Sequence, residues 1–324
     1  MNETRLHRNT GLDLVRVTEA TAISAARWMG LGRRDESDQA SSTAMLRALD
    51  GLEMDGRIVI SKDRRVDSFP ELHTGRSVGT GRGVAVDVVV DPIDGQRLLA
   101  QGRSGAVSVA AIAPRGSMWS PSPAAYMEKL VVNRAAAAAL VPECLDAPVA
   151  WTLALIARAK GKSVRDLVVF LLDRPRHSDL IDEIRTAGSR VMLNDDGDIA
   201  GAALAAAPDG PVDLLIGVGG SAEGVIAACA VKALGGGMLA RLAPQSVAER
   251  QALADANLDT RRILSCEDLV AGNQIFFVAT GITDGLLLEG VGFAHDRAST
   301  NSLILRCETH TRRRIHADHL ITAV

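Results

Sequence analysis

The segment VDVVVDPIDGQR (86–97) drops from a run of valines into two aspartates, Asp91 and Asp94, which flank a Pro-Ile pair and lead into Gly95. Proline and glycine stiffen such a turn and aim both carboxylates toward one region. Paired carboxylate oxygens suit a hard cation such as Mg2+ or Mn2+. Plain turn chemistry selects the same residues, and the spacing alone leaves both readings open. A second group sits in VDLLIGVGGSAEGV (212–225), which reads as strand, glycine-rich loop and helix. Small residues there let backbone N–H groups face a phosphate, and a helix start adds partial positive charge. Neither GxGxxG nor the P-loop pattern is present, so this loop does not by itself specify a nucleotide. Glu223, in the first turn of that helix, either complements the helix dipole or ligates a metal. DRPRH (173–177) puts Arg174 and Arg176 around Pro175 just after a strand, a suitable place for bidentate phosphate contacts or simply an exposed charged turn. DDGD (195–198) follows another strand, either as an Asp-Gly turn or as acceptors for sugar hydroxyls.

These groups need elements to hold them. Apolar spacing predicts a helix over 13–29 and another over 38–49, then a short strand at 57–60 and a polar, irregular stretch over 61–83. Residues 84–90 and 104–113, rich in small and β-branched side chains, read as strands, with Asp91 at a strand's C-terminal edge. Beyond 165 the pattern alternates: strands at 166–172, 190–194 and 212–218, helices at 178–188, 198–207 and 222–235. Such alternation predicts parallel βαβ units with right-handed crossovers. The arginines, the DGD motif and the glycine-rich loop then fall at strand C-termini, where open α/β sheets bind ligands. The boundary between two halves is expected near 135–165.

With 47% hydrophobic residues but only 3% aromatics, the core must be built from Ala, Val, Leu and Ile, which suits α/β packing. A net charge of −3 with no extended basic block gives no pull toward nucleic acid. The four cysteines form no CxxC pair, which speaks against structural zinc or a disulfide framework. No long apolar run or signal core occurs, so the expectation is a cytoplasmic protein without a membrane partner.

The ordered segments RVTEATAISAARWMG, DGRIVI, VGTGRG, DPIDG, YMEKL, RPRH, DGD, GVGGSAEG and ATGIT make the chain resemble the class II fructose-1,6-bisphosphatases over nearly its whole length. These belong to the lithium-sensitive, inositol-monophosphatase-like phosphatases and include bifunctional fructose/sedoheptulose bisphosphatases. The resemblance implies a layered α-β-α-β-α sandwich of two sub-domains. Residues 1–150 would carry most metal ligands and 151–324 the sugar-phosphate-binding residues. It implies a Mg2+- or Mn2+-dependent hydrolase acting on a phosphorylated sugar, most directly the C1 phosphate of fructose 1,6-bisphosphate, and a homodimer or homotetramer.

Carried over residue by residue, the metal ligands match Asp38, Asp91, Asp94 and Glu223, with Asp standing at 94 where the family usually has Glu. The substrate residues match Tyr126, Arg174, Arg176, Asp196, Asp198 and Gly220, with Arg174 where Lys is common. Two departures affect the expected centre. The family's GEGE segment, whose first Glu is a ligand, is replaced by SKDRRVD, which brings either Lys62 or Asp63 to that position, with Asp67 matching an acid near the catalytic water. Gln96 stands where the family's Thr orients the attacking water. Gln also donates and accepts, but it is longer and has more rotamers to fix. These departures open two alternatives: a weakened paralogue that binds sugar phosphate, or a phosphatase redirected to another substrate.

Overall fold

A computed structural model describes residues 6, 9–61, 72–120 and 123–321. The chain forms two compact units, one of Met1–Ser120 with Gly272–Val324 and the other of Pro121–Ala271. This differs from the single cut at 150 read from the sequence. The reason is backbone pairing: the chain returns after 272 to complete the first unit's sheet.

In that unit, strands β1 (Met54–Ser61), β2 (Ser77–Val78), β3 (Val84–Asp94) and β4 (Val107–Pro114) are continued by β11 (Phe276–Gly281), which pairs antiparallel with β4 from Phe276↔Ile112 to Gly281↔Val107. β12 (Gly292–Ala294) and β14 (Thr311–Leu320) both pair with β13 (Arg297–Arg306), giving the path β12-β13-β11-β4-β3-β1-β2. Among the described residues of this unit, only β1 and β3 run parallel; the remaining pairs are antiparallel. Helices Thr10–Ala26 and Arg34–Asp50 cover one face. Leu14, Val17, Met45 and Leu49 pack there on Ile58, Val88, Ile112, Val278 and Ile304. The first helix lies close because its facing residues are small. A Cβ on Gly11 would come within 2.8 Å of the Phe276 ring, and Thr18 shares a 2.7 Å hydrogen bond with Thr280.

Two boundaries differ from the sequence reading in ways that bear on chemistry. The second helix begins at Arg34, so Asp38 lies inside the helix rather than at its first position as the predicted span 38–49 has it. β3 does not stop at Asp91 but continues to Asp94, with a register shift against β4 between the two aspartates. That irregularity is where Pro92, which has no N–H to donate, is tolerated in a sheet.

The second unit holds the predicted alternation. β6 (Val168–Leu172) pairs in parallel with β7 (Arg190–Asn194) and β8 (Leu214–Gly220), with helices Ser178–Thr186 and Asp198–Ala206 in the connections. The sheet is mixed, however. β5 (Tyr126–Val132) lies antiparallel between β8 and β9 (Gly237–Leu242), and the order is β10-β9-β5-β8-β6-β7, with β10 at Leu264–Ser265. Leu130, Leu153, Ile156, Val169, Leu171, Ile184 and Leu214 form its core. Helices Asp198–Ala206 and Ser221–Ala233, built largely of Ala and Gly, are buried almost throughout. No helix among the described residues is long and apolar enough to cross a membrane.

Asp213 locks the start of β8. Its carboxylate takes Lys160 at 2.8 Å and Lys162 at 2.6 Å, and accepts the Val168 N–H at 2.9 Å. Burial acts to raise its pKa, but these hydrogen bonds outweigh burial and hold it below the ordinary aspartate value. A carboxylate depressed in the folded state contributes stability above its unfolded pKa and loses it as pH falls through the folded value. Thermal unfolding of the native protein is therefore expected to show an added loss of stability below about pH 4, which Asp213→Asn flattens. The same substitution is expected to cost about 2 kcal/mol at neutral pH, since it weakens a charge-assisted network around the buried Lys160.

Candidate active site

Gly95 decides where the acidic turn of the first unit points. Its φ is +97°, and a Cβ there would sit 3.1 Å from the Ala106 Cα, so both conformation and space select glycine. The turn feeds a short helix, Gln96–Ala100, anchored by Leu98 and Leu99 in a cluster with Ile93 and Ala106. Asp91 and Asp94 are thereby held at 1% and 2% exposure, and Asp91 accepts the Ile93 N–H at 3.1 Å. Gln96 Nε2 donates to the Asp38 carboxylate and, at 3.4 Å, to the Arg34 carbonyl. The amide thus ties the start of the second helix to the acidic turn. Asp38 and Gln96, 58 residues apart, are brought into contact by the fold.

Asp38, Asp91 and Asp94 offer only carboxylate oxygens, a donor chemistry that fits a hard divalent cation. Among the described residues, no group of three or more His, Cys, Asp or Glu comes together as a metal site. Lys62, Asp63 and Asp67 lie outside the described residues.

In the second unit β8 runs through Gly219 and Gly220 straight into the helix Ser221–Ala233, so the expected glycine-rich loop is strand and N-cap instead. The glycines serve close approach. A Cβ on Gly220 would overlap the Glu223 carboxylate, which folds back over the N-cap. On Gly219 it would overlap Asp198 and lie 2.8 Å from Lys129 Nζ. Lys129, 1% exposed, forms an ion pair with Asp198 and reaches the Gly220 carbonyl at 3.3 Å. Asp198 starts its helix directly after Gly197, whose φ is +90°.

The RPRH segment packs against the same strand. Arg176 donates from Nε and Nη2 to the Val218 carbonyl at 3.2 and 2.7 Å, and its guanidinium lies 5.4 Å from the centre of the Tyr126 ring. Arg174 pairs with Asp196 at 3.6 Å. His177 accepts the Val218 N–H at Nε2, 2.9 Å, and donates Nδ1–H to the Leu172 carbonyl at 2.7 Å. Burial pushes the His177 pKa below its ordinary value, and the Leu172 hydrogen bond offsets this only in part. Tyr126, which the single cut at 150 separates from the arginines, belongs to the same unit as they do.

The chain matches the family described as bacterial fructose-1,6-bisphosphatase, glpX-encoded, over residues 8–319. It belongs to that family. It is 38% identical over 329 residues to fructose-1,6-bisphosphatase class 2 of Haemophilus influenzae, covering 98% of this chain and 97% of that protein. To fructose-1,6-bisphosphatase 1 class 2 of Escherichia coli K12 it is 36% identical over 332 residues, covering 98% and 96%. Two polar residues that the structure packs into this cluster went unmarked in the sequence reading: Lys129 and His177. Lys129 carried a weak signal, being with Glu128 one of two charges in the strand YMEKLVV. His177 carried none beyond its place beside Arg176.

The buried Lys129–Asp198 pair sets a stability test. Lys129→Ala leaves Asp198 without its counter-charge and is expected to cost about 3–5 kcal/mol in denaturant unfolding. Lys129→Met combined with Asp198→Leu is expected to cost less than Lys129→Ala alone, because no unpaired charge remains.

Proposed function

We propose that this chain hydrolyses the C1 phosphate ester of fructose 1,6-bisphosphate, acting as a phosphoric monoester hydrolase on phosphorylated sugars. The observation that carries the reading is the cluster of Arg174, Arg176, Asp196 and Asp198 around the end of β8, in a chain that matches the family over 8–319. The full-length matches to proteins named fructose-1,6-bisphosphatase favour this over a weakened, merely sugar-binding paralogue.

In this reading Arg174 and Arg176 hold the phosphate that is not cleaved. Arg176 spends Nε and Nη2 on the Val218 carbonyl, which leaves its Nη1 edge to face an oxyanion. Asp196, Asp198, Tyr126 and the backbone at Gly220 take the sugar. Asp38, Asp91, Asp94, Glu223 and Asp63 are the residues that would hold Mg2+ or Mn2+. A bound divalent cation would supply charge neutralisation at the phosphoryl oxygens. Asp67 and Gln96 orient the attacking water. With Gln96 Nε2 engaged by Asp38, its Oε1 is the atom that accepts a hydrogen bond from that water. Attack at phosphorus in line with the C1 oxygen releases inorganic phosphate and leaves the sugar monophosphate. We assign the working form as a homodimer or homotetramer, which light scattering of the purified protein checks.

Phosphate release from a panel of sugar mono- and bisphosphates, with Mg2+ or Mn2+ present, tests the activity. Fructose 1,6-bisphosphate is expected to be turned over best. Arg176→Ala should raise KM on the order of tenfold to a hundredfold, while Gln96→Ala lowers kcat roughly 10²-fold. Absence of release from every phosphosugar tried would refute the reading.

A further inference from the structure

Two consecutive residues grip both backbone groups of a single residue. Arg176 donates twice to the Val218 carbonyl, and His177 accepts the N–H of the same residue. The strand carrying Val218 is shaped for the contact. Gly217, with φ +134°, lies so close that a Cβ would come within 3.1 Å of the His177 ring. The ring's other nitrogen is committed to the Leu172 carbonyl at the end of β6, so the imidazole spans two neighbouring strands, 2% exposed.

We propose that His177 is a positioning residue for phosphate binding: its neutral imidazole fixes the backbone of Val218 by its N–H, and through the adjoining Val218 carbonyl the guanidinium of Arg176. The inference rests on the reading of Arg176 as a phosphate ligand. The tautomer follows from the partners. Leu172 offers only an acceptor, so Nδ1 bears the proton; Val218 offers only a donor, so Nε2 must be bare. Protonation would set Nε2–H against the Val218 N–H, two donors face to face. The Val218 backbone would then have to turn or withdraw, taking from Arg176 the carbonyl that orients it. The charges facing the ring are Arg174 and Arg176 on its own segment, which oppose protonation, and Asp198 at the start of helix Asp198–Ala206, which favours it. Burial adds to the opposition, so the neutral form prevails at neutral pH and the clamp is lost on the acid side.

Amide substitutions separate the ring's two functions, because Gln reaches to the Nε2 position and can accept there, whereas Asn reaches only to Nδ1. The dissociation constant of fructose 1,6-bisphosphate is measured by calorimetry from pH 5 to pH 8 for the native protein, His177→Gln, His177→Asn and Arg176→Ala. His177→Asn is expected to weaken binding about tenfold or more at pH 7.5, the loss expected when a charge-assisted phosphate contact is misplaced. His177→Gln should stay within about threefold of native. It should also lack the acid-side fall that the native protein shows beyond the titration of the ligand's own phosphates. Equal binding by native, Gln and Asn forms, or equal loss in both variants, would overturn the proposal. If Arg176→Ala binds as tightly as native, the underlying reading of Arg176 fails instead. Should His177→Asn not fold, nitrogen NMR of the native imidazole decides. A bare Nε2 whose titration midpoint coincides with the loss of sugar-phosphate binding supports the clamp, and a protonated Nε2 at neutral pH overturns it.

Discussion

The buried Lys129–Asp198 ion pair is the interaction around which the second unit's polar cluster is arranged. An ammonium on a central strand, 1% exposed, is tolerable only if a carboxylate meets it and further acceptors complete its shell. Asp198 and the Gly220 carbonyl do this. Their approach requires that β8 carry no side chain at Gly219, and the neighbouring Glu223 carboxylate requires the same of Gly220. A single buried charge therefore dictates glycine at one position of the next strand and an aspartate at the first turn of a helix 69 residues away.

The same logic runs through the rest of the molecule at lower stakes. Asp213 is buried but answered by two lysines and a backbone N–H, and Asp87 on β3 accepts the Met118 N–H at 3.1 Å. In the first unit a neutral amide, Gln96, faces the Asp38 carboxylate. Each of these polar groups has a partner fixed by the fold, and each partner limits what the next element can be. The Val218 backbone is the tightest case, gripped on its N–H by His177 and on its carbonyl by the preceding Arg176.

Much of the architecture was legible from local pattern. The strands and helices between 166 and 235 alternate with hydrophobic runs separated by turn residues, and the structure keeps them to within a few residues. The β-branched run at 84–90 is likewise a strand, and the arginines, the DGD motif and Glu223 do lie at strand ends or first helical turns. What escaped the pattern was non-local. β5 enters the second sheet antiparallel between β8 and β9, and β11 returns to the first sheet beside β4, more than 160 residues later in the chain. Periodicity reports whether a segment is a strand; it does not report which strand it will pair with.

The sequence by itself determined the chemical inventory and its order: acidic turn, arginine turn, DGD turn, glycine-rich strand-to-helix junction, and with them the family. Residue type and short-range spacing set these, because turn geometry and helix capping depend on near neighbours. Only the tertiary structure decided which of those groups touch. It put Gln96 on Asp38, Lys129 on Asp198 and His177 on Val218, and it turned a presumed loop into the end of a strand. Those contacts join residues 41 to 69 positions apart. They follow from burial, which forces each desolvated polar atom to find a partner across the packed elements rather than along the chain.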